Sequence, residues 1–82
     1  MRAMAKSAPR ASARALFSEN LRVLRARRRL SQEAVALEAG LHRTFVSQCE
    51  TESRNISLDN IERIAQALGV EVYELFLPPG KP

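Results

Sequence analysis

The 82-residue chain has a single cysteine and a single histidine. Cys49 therefore has no intramolecular disulfide partner, and with His42 it makes too few ligands for a zinc cage, so neither cross-link is expected. No cofactor or metal is expected either. His42 and Cys49 lie seven residues apart, about 10 Å along one helix, beyond the reach of proton transfer, so the chain is not expected to be an enzyme. No apolar run approaches the ~18 residues of a membrane span, and the first dozen residues lack the apolar stretch of a secretion signal. Membrane partners are thus not expected, and the cytoplasm is the expected compartment.

Acidic residues are scarce at the start. Residues 1–30 hold nine Lys and Arg against one acid, Glu19, whereas residues 31–82 hold four Lys and Arg against eight acids. A basic half of this kind suits a polyanion, while the bland alternative is a solvated tail that aids solubility. The 45% hydrophobic content is ordinary for a globular protein, and the length allows one small domain. Such a core is marginal by itself, since a chain of this size buries only about 60% of its unfolded surface, and a second copy of the chain would help.

Apolar spacing predicts an all-α domain over 13–77, flanked by a flexible basic arm (1–12) and a disordered tail (78–82). Leu16, Phe17, Leu21, Val23 and Leu24 predict a first helix at about 14–28. The arginines at its end, Arg27 to Arg29, read as solvated. Ser31 is an N-cap for a helix at 32–39, and Gly40 supplies the left-handed turn into a third helix at about 42–52. Ser57 and Gly69 bracket a fourth helix whose stripe is Leu58, Ile61, Ile64, Ala65 and Leu68. Val70 to Leu77 is expected to form a short fifth helix before Pro78 and Pro79. No segment alternates as a strand would.

The segment 32–52 carries the specific signal, because it reads as two short helices crossing steeply over a tight turn. Ala36 is small where the helices approach, Gly40 permits a positive φ, and Val46 and Cys49 form an inner seam at i, i+3. Cys49 is read as core packing in preference to a redox switch. Thr44, Ser47, Gln48 and Thr51 then face outward, with Arg43 at the flank, giving a polar face without acids. Such a face suits the phosphate-walled major groove of DNA; the alternative is an ordinary solvated surface.

On these residues the chain resembles the XRE-type helix-turn-helix family of Cro and phage repressors. The resemblance spans NLRVLRARRRLSQEAVALEAGLHRTFVSQCE and RNISLDNIERIAQALGVEVYELF, and within the family it is most similar to restriction-modification controller proteins. It implies a five-helix repressor-like fold and a homodimeric transcription regulator acting on double-stranded DNA at a (pseudo)palindromic operator. Arg43, Thr44, Ser47 and Gln48 are the implied base readers, and Ser31, Gln32, Thr51, Arg54, Asn55 and Ser57 the implied phosphate contacts. It also implies an architectural ion pair between Arg25 and Glu50. Val72, Tyr73, Leu75, Phe76 and Leu77 offer more apolar surface than a terminal segment buries alone, so they are expected at the dimer interface.

Three positions depart from the family pattern. His42 is a poor helix cap, Glu52 stands where glycine or asparagine commonly ends the third helix and so implies a helix that runs on slightly or a strained end, and Phe45 replaces a frequent tyrosine or polar residue. The competing functional reading is an antitoxin-like module whose main partner is a toxin, with DNA binding secondary.

Overall fold

The computed structural model describes residues 12–78, all helix, turn and loop without strands. Four α-helices follow in order: α1 (Ala13–Arg27), α2 (Gln32–Ala39), α3 (Arg43–Glu50) and α4 (Leu58–Leu68), then a 3-10 turn at Val72–Phe76. The expected arm and tail fall almost wholly outside the described residues. Ser12, taken as the arm's last residue, instead caps α1 by accepting from the Ala15 amide at 3.0 Å.

Helix starts follow the serine signals. Ser31 accepts from the Ala34 amide at 2.9 Å and Ser57 from the Asn60 amide at 3.1 Å, each satisfying one of the donors a helix start leaves free. Helix ends share one device that the sequence discloses only half the time. After each α-helix one residue turns left-handed and the next amide donates five residues back: Leu30 to Arg25, Leu41 to Ala36, Ser53 to Gln48 and Val70 to Ala65. Gly40 (φ 74°) and Gly69 (φ 72°) do this without a Cβ penalty, but Arg29 (φ 57°) and Glu52 (φ 62°) do it against one. α3 consequently stops at Glu50, two residues before the end expected from its sequence.

The left-handed Glu52 supports a stability prediction. Glu52→Gly is expected to raise stability by about 1 kcal/mol, the left-handed penalty less glycine's greater entropy when unfolded. A urea midpoint that falls or stays constant in that variant would contradict it.

The expected fifth helix is replaced by the 3-10 turn, for two local reasons. Glu71 and Glu74 form a reciprocal capping box that starts the turn, the Glu71 amide donating to the Glu74 carboxylate at 3.0 Å. Leu77 precedes Pro78 and is extended (ψ 147°), as a pre-proline residue prefers, which leaves five residues, too few for a stable α-helix.

The core joins Phe17 and Leu21 of α1, Val35 of α2, Val46 and Cys49 of α3, Ile64 and Leu68 of α4, and Leu75 of the terminal turn. Two sequence expectations change here. Leu58, expected on the buried stripe of α4, is 79% exposed because it is the helix's first residue and projects outward. Leu75, expected at a dimer interface, is 0% exposed and belongs to the monomer core. The terminal turn is stitched down by Asn20, whose amide donates to the carbonyls of Leu75 (3.1 Å) and Leu77 (2.9 Å). Arg28, expected in the solvated cluster, donates to the Leu68 carbonyl and so caps the C-terminus of α4. No helix among the described residues is long and apolar enough to cross a membrane.

Candidate nucleic-acid interface

The α2–turn–α3 unit has the form its sequence dictates. Ala36 and Cys49 are buried, Val46 is fully enclosed, and Gly40 is left-handed at the turn. With that seam inward, Arg43 and Thr44 are exposed on the opposite face and Ser47 and Gln48 are half-buried beside them. Glu50, one of two acids near this face, is turned away and only 4% exposed. Glu52 remains exposed on the loop. His42 occupies the N-cap of α3 and makes no side-chain capping bond, in keeping with imidazole's poor fit to that role.

What holds α3 rigid is a polar stripe on α1. Ser18, Arg22 and Arg25 stand at i, i+4 and i+7, hence on one helix face. The buried Ser18 hydroxyl donates to the Cys49 carbonyl, and Arg22 donates to the Glu50 carbonyl at 2.5 Å. Arg25 engages the Glu50 carboxylate with two nitrogens, Nε to Oε2 at 2.5 Å and NH2 to Oε1 at 3.0 Å. The loop supplies the third carbonyl's partners, since the Thr51 and Ser53 amides donate to Gln48 at 3.3 and 3.0 Å. The carbonyls of Gln48, Cys49 and Glu50 are thus all satisfied, and two guanidinium groups sit at the negative end of the α3 dipole. The implied Arg25–Glu50 pair is present in the structure; Ser18 and Arg22 were missed, although their spacing from Arg25, seven and three residues on one helix face, was the available signal.

Glu50 is the hub of a wider network. Its Oε1 also accepts from Gln32 Nε2 at 3.0 Å, while Arg25 NH1 reaches the Leu30 carbonyl at 2.9 Å, so α1, α2 and α3 meet at one carboxylate. Hydrogen bonding to that carboxylate raises the Arg25 pKa above its ordinary value, against the opposing effect of burial. The far end of the Gln32 amide faces Arg43, NH1 to Oε1 at 3.4 Å. This line of contacts runs from the hub to the exposed start of α3. Beneath the same helix, burial pushes the Cys49 thiol up to about 11, outweighing the lowering by Arg54, so the group is a protonated packing residue at neutral pH.

The remaining site residues cluster around α3 and its loop. Ser31 and Ser57 are exposed and engaged as caps of α2 and α4. Thr51 Oγ1 lies 2.5 Å from Ser53 Oγ and 3.2 Å from the Gln48 carbonyl. Asn55 Oδ1 accepts from Arg14, tying this loop to the start of α1. Arg54 crosses back over α3, its guanidinium carbon 4.9 Å from the centre of the Phe45 ring. Two short helices joined by a left-handed turn, one braced against a third helix and showing an acid-free face, define a helix-turn-helix protein.

Comparison with known proteins agrees. A helix-turn-helix family model matches residues 21–75, and the chain belongs to the XRE-type helix-turn-helix family of transcription regulators. The chain is 48% identical over 66 residues to a hypothetical transcription factor of Neisseria meningitidis serogroup B, covering 80% of this chain and 62% of the relative's length. It is 48% identical over 63 residues to the control protein C.BamHI of Bacillus amyloliquefaciens, covering 76% and 78% of the two chains. Among solved structures it resembles the restriction-modification controller protein C.AhdI of Aeromonas hydrophila, with 44% identity, a TM-score of 0.75, and 77% and 96% of the two chains covered.

Proposed function

We propose that the protein is a sequence-specific DNA-binding regulator of the restriction-modification controller kind, acting in the cytoplasm as a homodimer on a two-fold-symmetric operator. One observation carries this reading: α3 presents Arg43, Thr44, Ser47 and Gln48 on a face whose neighbouring acid, Glu50, is consumed internally by Arg25. A helix offering guanidinium, hydroxyl and amide groups from a rigid mount matches the donor and acceptor edges of the major groove. Arg43 is assigned to guanine O6 and N7, and Thr44 to a thymine methyl. The starts of α2 and α4 at Ser31, Gln32 and Ser57, with Thr51, Arg54 and Asn55, are assigned to phosphates, which set register without reading sequence.

The dimer contact is assigned to the outer side of the terminal turn. Tyr73 and Leu77 are 66% and 46% exposed, and Val72 and Phe76 are half-buried. Phe76 packs on Phe17 with ring centres 5.9 Å apart, so it shares its surface between core and interface. Beside it lies a mainly apolar groove of about 370 Å³ lined by Phe17, Ile56, Leu58, Ile61 and Phe76, with Arg14 and Asn55 also in its wall. Exposed apolar surface of this kind favours self-association.

Selection of bound sites from random duplexes tests the DNA reading. Recovered sites should show two inverted half-sites about 34 Å apart, or a multiple of that. A featureless pool would reject the proposal. Leu77→Asp is expected to shift the protein to monomer in sedimentation and to cost at least about tenfold in operator affinity, because each half-site is then bound alone. An unchanged dimer in that variant would move the interface elsewhere.

A further inference from the structure

Arg54 stands in an unusual place for a residue that only holds a phosphate. The left-handed Glu52 reverses the chain after α3, and the Ser53 amide closes on the Gln48 carbonyl at 3.0 Å. That reversal carries Arg54 back across the last turn of α3. There its guanidinium lies over the Phe45 ring and NH1 donates to Gln48 Oε1 at 2.6 Å. The ring fixes the guanidinium plane on one side through its negative face, and the amide oxygen holds it at the edge.

The chemistry of this contact decides which way the Gln48 amide points. A guanidinium has five donors and no acceptor, so the amide atom at 2.6 Å is the oxygen and not the nitrogen. The Nε2 hydrogens are therefore left directed away from Arg54, and no protein acceptor engages them among the described residues. A free glutamine reads adenine with both ends of its amide, accepting from N6 and donating to N7. The Gln48 oxygen keeps a second lone pair, but the guanidinium on the first sets positive charge and N–H groups against the N6 amino donor of adenine, so the end offered to a base is the Nε2 donor, and guanine, with O6 and N7, presents only acceptors on its purine edge.

We propose that Arg54 is a positioning residue that sets the base preference of Gln48, latching its amide through the Phe45 stack so that Gln48 reads guanine in place of adenine. The latch rests on the assignment of Gln48 as a base reader. It borders a shallow depression of about 390 Å³ between the α2–α3 turn and the loop, lined by Leu41, His42, Thr44, Phe45, Gln48 and Arg54. Phe45 thereby acquires a role besides packing, as the platform that keeps the long Arg54 side chain beside the amide.

Selection of bound sites from random duplexes, using the full chain as wild type, Arg54→Ala, Arg54→Lys, Gln48→Ala and the double alanine variant, tests this. Arg54 is exposed, so its variants should melt with the wild type. Arg54→Ala should move one column of the binding profile from guanine toward adenine, a change in their ratio on the order of fivefold or more. Arg54→Lys should keep guanine, because an ammonium also donates to Oε1. The double variant should show the same flattened column as Gln48→Ala. Uniform weakening of all sites by Arg54→Ala, with the guanine column intact and the salt slope reduced by about one, overturns the latch and leaves Arg54 as a phosphate contact. Unaltered columns in Gln48→Ala overturn the base-reading assignment itself, and the latch with it.

Discussion

Arg25→Ala is expected to destabilise the fold by about 3–5 kcal/mol, because it strands a charged carboxylate inside the protein. The Glu50 side chain is 5% exposed, and its two oxygens receive both of their charged contacts from Arg25. After the substitution only the Gln32 amide still faces that carboxylate. A loss of this size is a large share of the roughly 5–15 kcal/mol that holds a small domain folded. For a chain of this length it corresponds to a fall in melting temperature of more than about 10 °C. Glu50→Ala should cost less, since the Arg25 side chain is 22% exposed and can still reach water and the Leu30 carbonyl. Replacing both, as Arg25→Met with Glu50→Leu, should recover most of the loss, because the pair's attraction mainly offsets its own desolvation. Thermal unfolding of the four proteins checks this. Equal losses in Arg25→Ala and the double variant would mean that the lost hydrogen bonds of the network, such as that to the Leu30 carbonyl, and not the stranded charge, set the cost.

Arg43→Ala is expected to leave stability nearly unchanged and to weaken operator binding by about 2–6 kcal/mol, taking about 1–3 kcal/mol for each bidentate guanine contact in two half-sites. Exposure supports the first part: Arg43 lies at the free start of α3, and its one side-chain hydrogen bond among the described residues is to Gln32, at 3.4 Å. That contact is long and easily surrendered, so the guanidinium can leave it for a base edge at little cost. Binding titrations on the selected operator and on a copy with the two guanines replaced separate the outcomes. Wild type should lose affinity on the altered copy, whereas Arg43→Ala should bind both copies alike. An equal loss on both copies would make Arg43 a phosphate contact.

Much of the fold and site was legible because its signals are local. Serine before an apolar stripe marks a helix start through a hydroxyl that reaches its own backbone, and Ser31 and Ser57 behave accordingly. Gly40 and Gly69 mark helix ends because only they turn left-handed without a Cβ penalty. Ala36, Val46 and Cys49 place the inner seam of the helix-turn-helix, so the outer face follows from helical geometry. Arg29 and Glu52 make the same left-handed turn without glycine's freedom; the family pattern, with glycine or asparagine common at the place of Glu52, pointed to a strained end there, but nothing marked Arg29, and surrounding contacts impose the strain.

Local chemistry along the chain therefore determined the class of fold, four of its elements and the identity of the presented face, because capping, turning and periodicity act within a few residues. Tertiary structure alone decided that Leu75 belongs to the core while Leu58 faces outward, and that Ser18, Arg22 and Arg25 jointly close the end of α3. It also brought Arg54 beside Gln48 and Phe45. These outcomes depend on which surfaces meet when the helices pack, and on which buried polar group finds a partner across that contact; neither is written in the spacing of residues along a single element.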